Sequence, residues 1–273
     1  MNFRHCVAGG LSGVERAGEG PGVLLVHGNS ADHRTFGPLM ASRALAGQRL
    51  VALDLPGHGG SVDQPGRTLG ALATAIAEAA RALQVGVVFG HSLGGHATLQ
   101  AVGRGRLDGL AGVAVLGTPP IPGLEGMGIA FQPAAAMDLI FKANVSDAEV
   151  ALWAAEAFGP HQPPPAWFAE AVRATDPALR AGLVSELAVE GFIDEVAVLD
   201  TAPMPIAVLH AEDDAYSARA HTLGIRGRAL WRGLPQILPG LGHYAPWEAP
   251  EVVGGVLAAF LEAVAELRPD PAH

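Results

Sequence analysis

The sequence predicts an α/β fold in which helices flank a mostly parallel central sheet and a helical cap is inserted between two of its strands. Three observations lead to this prediction. Short, continuous apolar runs alternate with segments of helical spacing up to residue 118, and the same alternation returns at residue 203. Such apolar runs are typical of strands that are buried on both faces. Between these two parts, helical patterns separated by prolines indicate an insertion made of helices.

The composition fits one large α/β domain that carries such an insertion. The chain has 273 residues, of which 49% are hydrophobic, so a substantial core can form. The formal net charge is -10 and Lys and Arg are not clustered, which argues against nucleic acid as a partner. Cys6 is the only cysteine, which excludes an internal disulfide and suits a reducing compartment.

The hydropathy of the chain favours a cytoplasmic location. The first residues lack the apolar segment of a secretory signal. No uninterrupted run of about 18 apolar residues is present, so the sequence predicts no membrane-spanning helix. We therefore expect a cytoplasmic protein without a membrane partner, and the sequence leaves its oligomeric state open.

The first half of the chain alternates between predicted strands and predicted helices. Residues 3–17, broken by two glycines, predict an antiparallel hairpin at a sheet edge. Helical spacing predicts helices over 35–45, over 69–83 and directly after residue 92. A strand–helix–strand order of this kind specifies a parallel sheet wrapped by helices. The four buried strands are predicted at 23–26, 50–55, 87–89 and 113–116.

The second half begins with the predicted cap and then returns to the sheet. We predict a core of residues 1–118 and 203–273 and a cap of residues 119–202. The last helix begins near Pro250, because proline suits the first helical turn. Five helical windows are predicted in the cap, at 132–141, 147–158, 166–175, 177–189 and 192–199. The sheet resumes with strands at 205–210 and 236–238, with a helix at 217–223 between them.

One motif marks a candidate nucleophile. Residues 90–95 read Gly-His-Ser-Leu-Gly-Gly and lie between a predicted strand and a predicted helix. A serine flanked by glycines at this junction is typical of a nucleophile elbow, a turn so tight that its neighbours must nearly lack side chains. The turn would lift the Ser92 hydroxyl clear of the sheet, near the N-terminus of the next helix. Ordinary strand-to-helix turns share these residue types, so the interpretation depends on a base and an acid elsewhere.

The chain supplies candidates for both partners. Serine is a weak nucleophile until a base takes its proton and an acid orients that base. His243 follows a predicted strand and a glycine-rich turn near the C-terminus, and we interpret it as the base. Asp213 and Asp214 both follow the strand at 205–210, and Glu212 is a more remote third candidate. The order serine, acid, histidine is the order that accompanies the elbow, although either aspartate could instead cap the next helix.

Together these residues resemble the serine hydrolases of the α/β-hydrolase superfamily. Residues 90–95 resemble the elbow of that family, and residues 27–29 (His-Gly-Asn) resemble its oxyanion loop. Residues 54–61 are similar to its Asp-x-x-Gly-x-Gly-x-Ser stretch. Residues 242–251 look like its terminal histidine motif. The resemblance covers about residues 23 to 267 apart from the cap.

The resemblance implies a catalytic triad of Ser92, His243 and an acid. The family usually places the acid three residues after a glycine at the strand end. Ala211 occupies that glycine position here, so the register alone favours Asp214 over Asp213.

The resemblance also implies an oxyanion hole built from the backbone amides of Asn29 and Leu93. Backbone donors at these places would be preorganised against the charge of a tetrahedral intermediate. We interpret His27 as a brace of the oxyanion loop, and His91 and His96 as packing or supporting groups. The histidines and acids show no convincing metal spacing, so the sequence implies no metal and no cofactor.

The function implied is hydrolysis of a small, largely apolar carboxylic ester through an acyl-serine intermediate. Ser92 stands where epoxide hydrolases and dehalogenases of the family carry an aspartate, which argues against those activities. A lactonase, a carbon–carbon bond hydrolase or a cofactor-free haloperoxidase or perhydrolase would use the same triad and remain open. A ligand-binding receptor with little turnover is a further alternative. Large apolar residues of the cap could line the pocket or only form the cap core: Phe131, Phe141, Trp153, Phe158, Trp167 and Phe168.

Overall fold

The computed structural model describes residues 3–158, 162–185 and 191–267, and these form an eight-stranded sheet. The strand order is β1-β2-β4-β3-β5-β6-β7-β8. Strand β2 pairs antiparallel with β1 and with β4, and the remaining neighbours pair in parallel. The mostly parallel sheet and its edge hairpin were therefore correctly predicted. The strands are β1 (Arg4–Ala8), β2 (Leu11–Arg16), β3 (Glu19–Val26), β4 (Gln48–Leu53), β5 (Val87–His91), β6 (Gly112–Leu116), β7 (Ile206–Ala211) and β8 (Gln236–Leu238).

Strand β3 shows how the sheet is buried on both faces. Val23 and Leu25 belong to the core cluster on one face, and Leu24 and Val26 belong to the cluster on the other. Successive side chains of a strand point to opposite faces, so both sets must be apolar. This double burial explains why the run at 23–26 is continuous rather than alternating.

The helices of the described residues cover the two faces of the sheet and fill the insertion. Helix α2 begins and ends at the residues that the sequence predicts, 69 and 83. The side chain of Thr68 accepts the backbone N–H of Ala71 at its start, and Gln84 adopts the left-handed conformation at its end. The helices are α1 (Gly37–Met40), α2 (Leu69–Leu83), α3 (Leu93–Gly103), α4 (Met127–Ala130), α5 (Asp147–Phe158), α6 (Ala166–Ala174), α7 (Pro177–Ser185), α8 (Glu195–Thr201), α9 (Arg219–Gly224), α10 (Ala245–Glu248) and α11 (Pro250–Glu266). Short 3₁₀ turns lie at His33–Phe36, Arg43–Leu45, Gly59–Ser61, Leu124–Gly126, Met137–Phe141 and Trp231–Gly233.

The prediction of one helix over 35–45 is wrong. Helix α1 ends at Met40, and Ser42 has a non-helical backbone with φ −59° and ψ 141°. The Ser42 hydroxyl accepts the N–H of Ala44 at 3.2 Å. The carboxylate of Glu251, from α11, accepts the N–H of Arg43 at 3.0 Å. These side-chain bonds take the place of the backbone bonds that a continuing helix would need.

Residues 117–205, between β6 and β7, form what we term the helical insertion. Its described residues contain helices α4 to α8 and no strand beyond an isolated bridge between Phe131 and Ser217. The predicted window at 132–141 is wrong in its first half, because the N–H groups of Ala135 and Ala136 bind the Glu156 carboxylate instead of continuing a helix. The windows at 147–158 and 166–175 agree with α5 and α6, and the window at 192–199 is displaced to α8. The last part of the window at 177–189 lies outside the described residues.

An aromatic cluster fastens the insertion to the rest of the chain. The ring of Phe158, in α5, stacks on Tyr244 with centroids 4.4 Å apart and planes within 10°. Phe168 packs edge-on against both Phe158 and Tyr244. Since Tyr244 follows His243 directly, the cluster holds the insertion against the segment that carries this histidine.

Within the described residues, no helix has both the length and the apolar character needed to cross a bilayer.

Candidate active site

The predicted site residues lie at one edge of the sheet. Strands β3, β5, β6, β7 and β8 run in parallel, so the loops at their carboxyl ends meet there. Asn29 follows β3, Ser92 follows β5, Asp214 follows β7 and His243 follows β8. The chain leaves β3 for β4 on one side, while β5 lies on the other side. Ligands of open α/β sheets bind at such a reversal of strand order, so Asn29 and Ser92 stand at the expected place.

Ser92 has the backbone conformation of a sharp elbow. Its φ is 52° and its ψ is −121°, a region that residues with a side chain rarely adopt. The N–H of Ser92 donates to the carbonyl of Leu116 at 2.9 Å. The carbonyl of Ser92 accepts the N–H groups of Gly95 and His96 at 2.9 and 3.0 Å. Strain of this kind costs roughly 1–3 kcal/mol and persists because the surroundings determine it.

The glycines of the elbow are required by close backbone packing. A Cβ atom on Gly90 would lie 2.6 Å from the Cα of Gly95. A Cβ atom on Gly94 would lie 2.4 Å from the carbonyl oxygen of His27, on the neighbouring loop. The helix that follows Ser92 therefore packs onto the sheet at a distance that no larger residue allows. This is the physical reason for the pattern at residues 90–95.

The structure brings His243 and Asp214 together. Nδ1 of His243 lies 3.0 Å from each carboxylate oxygen of Asp214. The carboxylate is held in place by the N–H of Tyr216 at 2.9 Å and by the hydroxyl of Ser217 at 2.9 Å. Asp213 is exposed, and Glu212 pairs with Arg219 at 3.1 Å. Of the three acids considered in the sequence, Asp214 is the one in contact with the histidine.

The surroundings of Asp214 favour its ionised form. Burial by itself raises the pKa of this carboxyl group, but the nearby His243 and the donors from Tyr216 and Ser217 outweigh burial and hold the pKa well below its ordinary value. An ionised carboxylate can only accept hydrogen bonds, so Nδ1 of His243 donates to it. Nε2 of His243 then carries a lone pair that can take a proton.

Ser92 and His243 line the same cavity. The hydrogen bonds of the described residues do not include one between the Ser92 hydroxyl and the His243 ring. Nucleophile–base bonds are often long without a substrate and tighten when it binds. Gly28 packs closely against Ser92, because a Cβ atom there would lie 3.0 Å from the Cβ of Ser92.

The predicted oxyanion donors also reach this cavity. Asn29 and Leu93 both line it. In the described part of the chain, neither backbone N–H has a hydrogen-bond partner, and that of Leu93 belongs to the first turn of α3, where such groups are unpaired within the helix. The Asn29 side chain is fixed away from this role, because its Nδ2 donates to the carbonyl of Ile140 at 2.7 Å.

Two buried histidines brace the loop that carries Asn29. Nε2 of His27 accepts the N–H of Leu55 at 3.0 Å. Nε2 of His58 accepts the N–H of Ser30, which has a φ of 55°, at 3.1 Å. Burial lowers the pKa of His58 to about 3, and burial also lowers the pKa of His27, so both rings stay neutral and can accept these bonds. The sequence suggested the brace for His27 but gave no separate signal for His58.

The cavity has a volume of about 340 Å³ and a largely apolar wall. Phe131, Phe141 and Trp153 from the insertion line it, whereas the remaining three of the six predicted aromatic residues pack in the aromatic cluster. The sequence alone did not indicate which of these aromatic residues line the cavity. The residues that line the cavity are Asn29, Leu69, Ser92, Leu93, His96, Gly117, Ile121, Met127, Gly128, Phe131, Met137, Ile140, Phe141, Trp153, Leu183, Phe192, Tyr216, His243 and Tyr244.

One buried pair at the cavity was missed by the sequence reasoning. Nδ1 of His96, on α3, lies 2.8 Å from Oε2 of Glu195, on α8. The same Oε2 accepts the N–H of Ile121 at 3.0 Å, and Oε1 accepts from Gln100 at 3.2 Å. Glu195 has no solvent exposure. It therefore ties three separate segments together, and no pattern near residue 195 marks it as different from a surface glutamate.

Glu195→Gln is expected to lower the free energy of unfolding by about 1–3 kcal/mol, because its new NH₂ group must face a buried donor instead of accepting from it. Urea unfolding monitored by circular dichroism measures this change. Glu125→Gln, an exposed glutamate of the same insertion, is the control and is expected to change stability by less than about 0.5 kcal/mol. Equal stability of the two variants would contradict a stabilising role for the hydrogen bonds of Glu195.

One group of side chains has the spacing of metal ligands. Donor atoms of Asp32, His33 and Asp54 lie within 4.8 Å of one another in the described part of the chain. Arg34 donates to both carboxylate oxygens of Asp32. Asp54 accepts the N–H groups of His33 and Gly60, at 2.7 and 2.8 Å. Because these carboxylates are already satisfied, we interpret the group as a support of the neighbouring loops.

Comparisons with known proteins identify the family and the fold. A sequence model of the alpha/beta hydrolase family matches residues 23–255. Among curated proteins, none matches the chain. The solved structure of the N-acyl homoserine lactonase AidH in complex with N-butanoyl homoserine is similar, with a TM-score of 0.88 and 26% sequence identity, and the match covers 99% of this chain and 100% of that one.

Two further solved structures share the fold. The esterase RhEst1 from Rhodococcus sp. ECU1013 matches with a TM-score of 0.75 and 22% identity, over 97% of this chain and 100% of that one. A bromoperoxidase from Bacillus anthracis matches with a TM-score of 0.73 and 18% identity, over 96% and 100%. The fold class predicted from the sequence is confirmed by these matches.

Proposed function

The chain belongs to the alpha/beta hydrolase family, and on that premise we propose that it is a serine hydrolase that cleaves a small, largely apolar carboxylic ester. The observation that carries the proposal is the buried pair of Asp214 and His243, which opens onto the same apolar cavity as Ser92. A histidine that is oriented by an ionised acid is the base that a serine nucleophile needs.

In the proposed first half-reaction, the Ser92 hydroxyl attacks the ester carbonyl carbon. Its proton passes to Nε2 of His243, while Asp214 stabilises the imidazolium that forms. The N–H groups of Asn29 and Leu93 donate to the oxyanion of the tetrahedral intermediate. The intermediate collapses to an acyl-serine, and His243 returns the proton to the departing alkoxide, which leaves as an alcohol.

In the second half-reaction, water attacks the acyl-serine. His243 takes one proton from the water, and the same two backbone donors stabilise the second oxyanion. The carbon–oxygen bond to Ser92 then breaks, and the proton returns from His243 to the serine oxygen. The products are a carboxylic acid and a regenerated enzyme.

A lactone is the second candidate substrate, since the similarity to AidH favours it. That protein is named an N-acyl homoserine lactonase, and it matches this chain along the full length, including the helical insertion. The same steps open a lactone, except that the departing hydroxyl stays on the acyl group and the product is a hydroxy acid. Titration of acid release from N-hexanoyl homoserine lactone, compared with an open-chain ester, distinguishes the two candidates.

Labelling with a fluorophosphonate tests the proposed function. We expect the reagent to modify Ser92, as identified by peptide mass spectrometry, and the labelled protein to lose its hydrolysis of p-nitrophenyl esters. Modification elsewhere, or hydrolysis that persists after complete labelling, would contradict the proposal. Labelling of Ser92 in a protein with negligible turnover of esters and lactones would favour the ligand-binding receptor instead.

The apolar wall of the cavity predicts the preferred acyl length. Each methylene that is buried contributes about 0.8 kcal/mol, so kcat/KM for p-nitrophenyl esters is expected to rise about two- to fourfold per carbon from acetate. We expect the maximum at about C4 to C8, by the same methylene estimate. The series from acetate to palmitate measures it, and a maximum at either end would contradict the prediction.

A pair of variants locates the end of the acyl pocket. Phe141 lines the cavity and is half-buried, so Phe141→Ala is expected to move the maximum to longer chains. Val145, also half-buried in the insertion, is not among the residues that line the cavity, so Val145→Ala is the control and leaves the maximum unchanged. A shift in both variants would indicate a general loosening of the insertion.

A further inference from the structure

His96 places a polar atom without a partner at an apolar wall. Its side chain lines the cavity, and the residue is only 8% exposed. Among the described residues, Nε2 of His96 has no hydrogen-bond partner and is itself buried. Buried polar atoms are nearly always paired, so an unpaired one at a ligand cavity calls for a functional reason.

Glu195 determines what this nitrogen offers. Oε2 of Glu195 already accepts the N–H of Ile121 and also lies 2.8 Å from Nδ1 of His96. Oε1 of Glu195 accepts from the side-chain NH₂ of Gln100, so both carboxyl oxygens accept hydrogen bonds, and the geometry assigns the proton between Glu195 and His96 to Nδ1 of His96. In the neutral ring, Nε2 is then a lone-pair acceptor on the cavity side.

His96 lies close in the chain to Ser92, the proposed nucleophile. The N–H of His96, in the first turns of α3, donates at 3.0 Å to the carbonyl of Ser92, the residue directly before that helix. Both residues line the same cavity. A substrate whose carbonyl lies at Ser92 therefore occupies the cavity that His96 also lines.

We propose that Nε2 of His96 accepts a hydrogen bond from an N–H or O–H group of the substrate, close to the ester carbonyl. The inference rests on the proposed function and narrows the substrate class to esters or lactones that carry such a donor. His96 acts as a positioning residue, and Glu195 holds it in the tautomer that accepts. An amide N–H and a hydroxyl share this chemistry, and the experiment separates them.

Two matched pairs of p-nitrophenyl esters test the inference. In the amide pair, the N-acetylglycine ester carries an N–H that the 4-oxopentanoate ester replaces with CH₂. In the hydroxyl pair, the 3-hydroxybutanoate ester carries an O–H that the 3-methylbutanoate ester replaces with a methyl group. The measured quantity is the ratio of kcat/KM within each pair, compared between the wild-type protein and variants, which removes differences in intrinsic reactivity.

His96→Asn is the decisive variant. The asparagine amide can still donate to Glu195, but it is too short to place an acceptor where Nε2 lies. We expect it to lower the donor preference in at least one pair by about tenfold while the melting temperature changes little. His96→Leu removes both contacts and is expected to lose the same preference with reduced stability. The pair that responds identifies the donor as amide or hydroxyl.

The outcomes separate this inference from the proposed function. If the wild-type protein hydrolyses none of the four esters, the proposed function fails. If it hydrolyses them and the ratios stay unchanged in His96→Asn, the inference alone is overturned, and the tie to Glu195 is structural. Among the described residues, the hydroxyl of Tyr216 is a second buried polar atom without a partner at the cavity, so a loss of preference in Tyr216→Phe would assign the contact to Tyr216 instead.

Discussion

Ser92→Ala is expected to lower kcat for ester hydrolysis by about 10⁴- to 10⁶-fold, the loss that removal of a triad serine causes in other hydrolases. The variant lacks the oxygen that we propose forms the acyl intermediate, while the proposed backbone donors of Asn29 and Leu93 remain. Initial rates with a p-nitrophenyl ester at saturating substrate measure the change. The fold should persist, because the elbow is held by hydrogen bonds of the Ser92 backbone to Leu116, Gly95 and His96.

Ser146→Ala is the control for this variant. Ser146 is exposed on the helical insertion and lies outside the residues that line the cavity, so its kcat is expected to stay at the wild-type value. The two purified proteins should give the same circular dichroism spectrum. Hydrolysis by Ser92→Ala at the rate of the control would show that another group carries the reaction.

The fold could be predicted where its signals are local. Helix α2 was predicted at its observed bounds from its helical spacing, which places Leu72, Ile76 and Leu83 on one side. Strand β8 was also predicted at its observed bounds, residues 236–238. The helix expected over 35–45 failed for the opposite reason. The carboxylate of Glu251, 208 residues from Arg43, interrupts it, and no local pattern reports such a contact.

In the candidate site, too, some residues are marked by their local sequence and others only by contacts with distant segments. Ser92 is marked by its own neighbours, since close packing restricts the flanking positions to glycine. The choice between Asp213 and Asp214 depends on which carboxylate faces the interior. In the structure it is Asp214, which contacts His243, 29 residues further along the chain. Glu195 gave no signal at all, because its three partners come from distant segments. Hydrogen-bond networks between side chains of distant segments are the feature of the site that local sequence patterns do not predict.

Asp214→Asn is expected to lower kcat by about 10⁴-fold. An amide is nearly isosteric with the carboxylate, but its NH₂ group can donate to His243 and favour the tautomer with the proton on Nε2. That ring cannot accept the serine proton. Asp213→Asn is the matched control, since Asp213 is exposed, and it is expected to keep kcat within about twofold. A large loss in Asp213→Asn with a small one in Asp214→Asn would reverse the assignment of the acid.

The pH dependence of the free energy of unfolding tests whether the Asp214 carboxylate is stabilised in its ionised form. The pKa of Asp214 in the folded chain lies below its value of about 3.9 in the unfolded chain, because His243 and the donors from Tyr216 and Ser217 outweigh burial. The unfolded chain therefore binds the proton first, and the contribution of the carboxylate to stability is fully present above about pH 4 and lost as pH falls towards the folded-state pKa. Asp214→Asn lacks this contribution at every pH. The difference in free energy of unfolding between the wild-type protein and Asp214→Asn should thus shrink below about pH 4, whereas a constant difference would mean that the carboxylate is not stabilised in its ionised form.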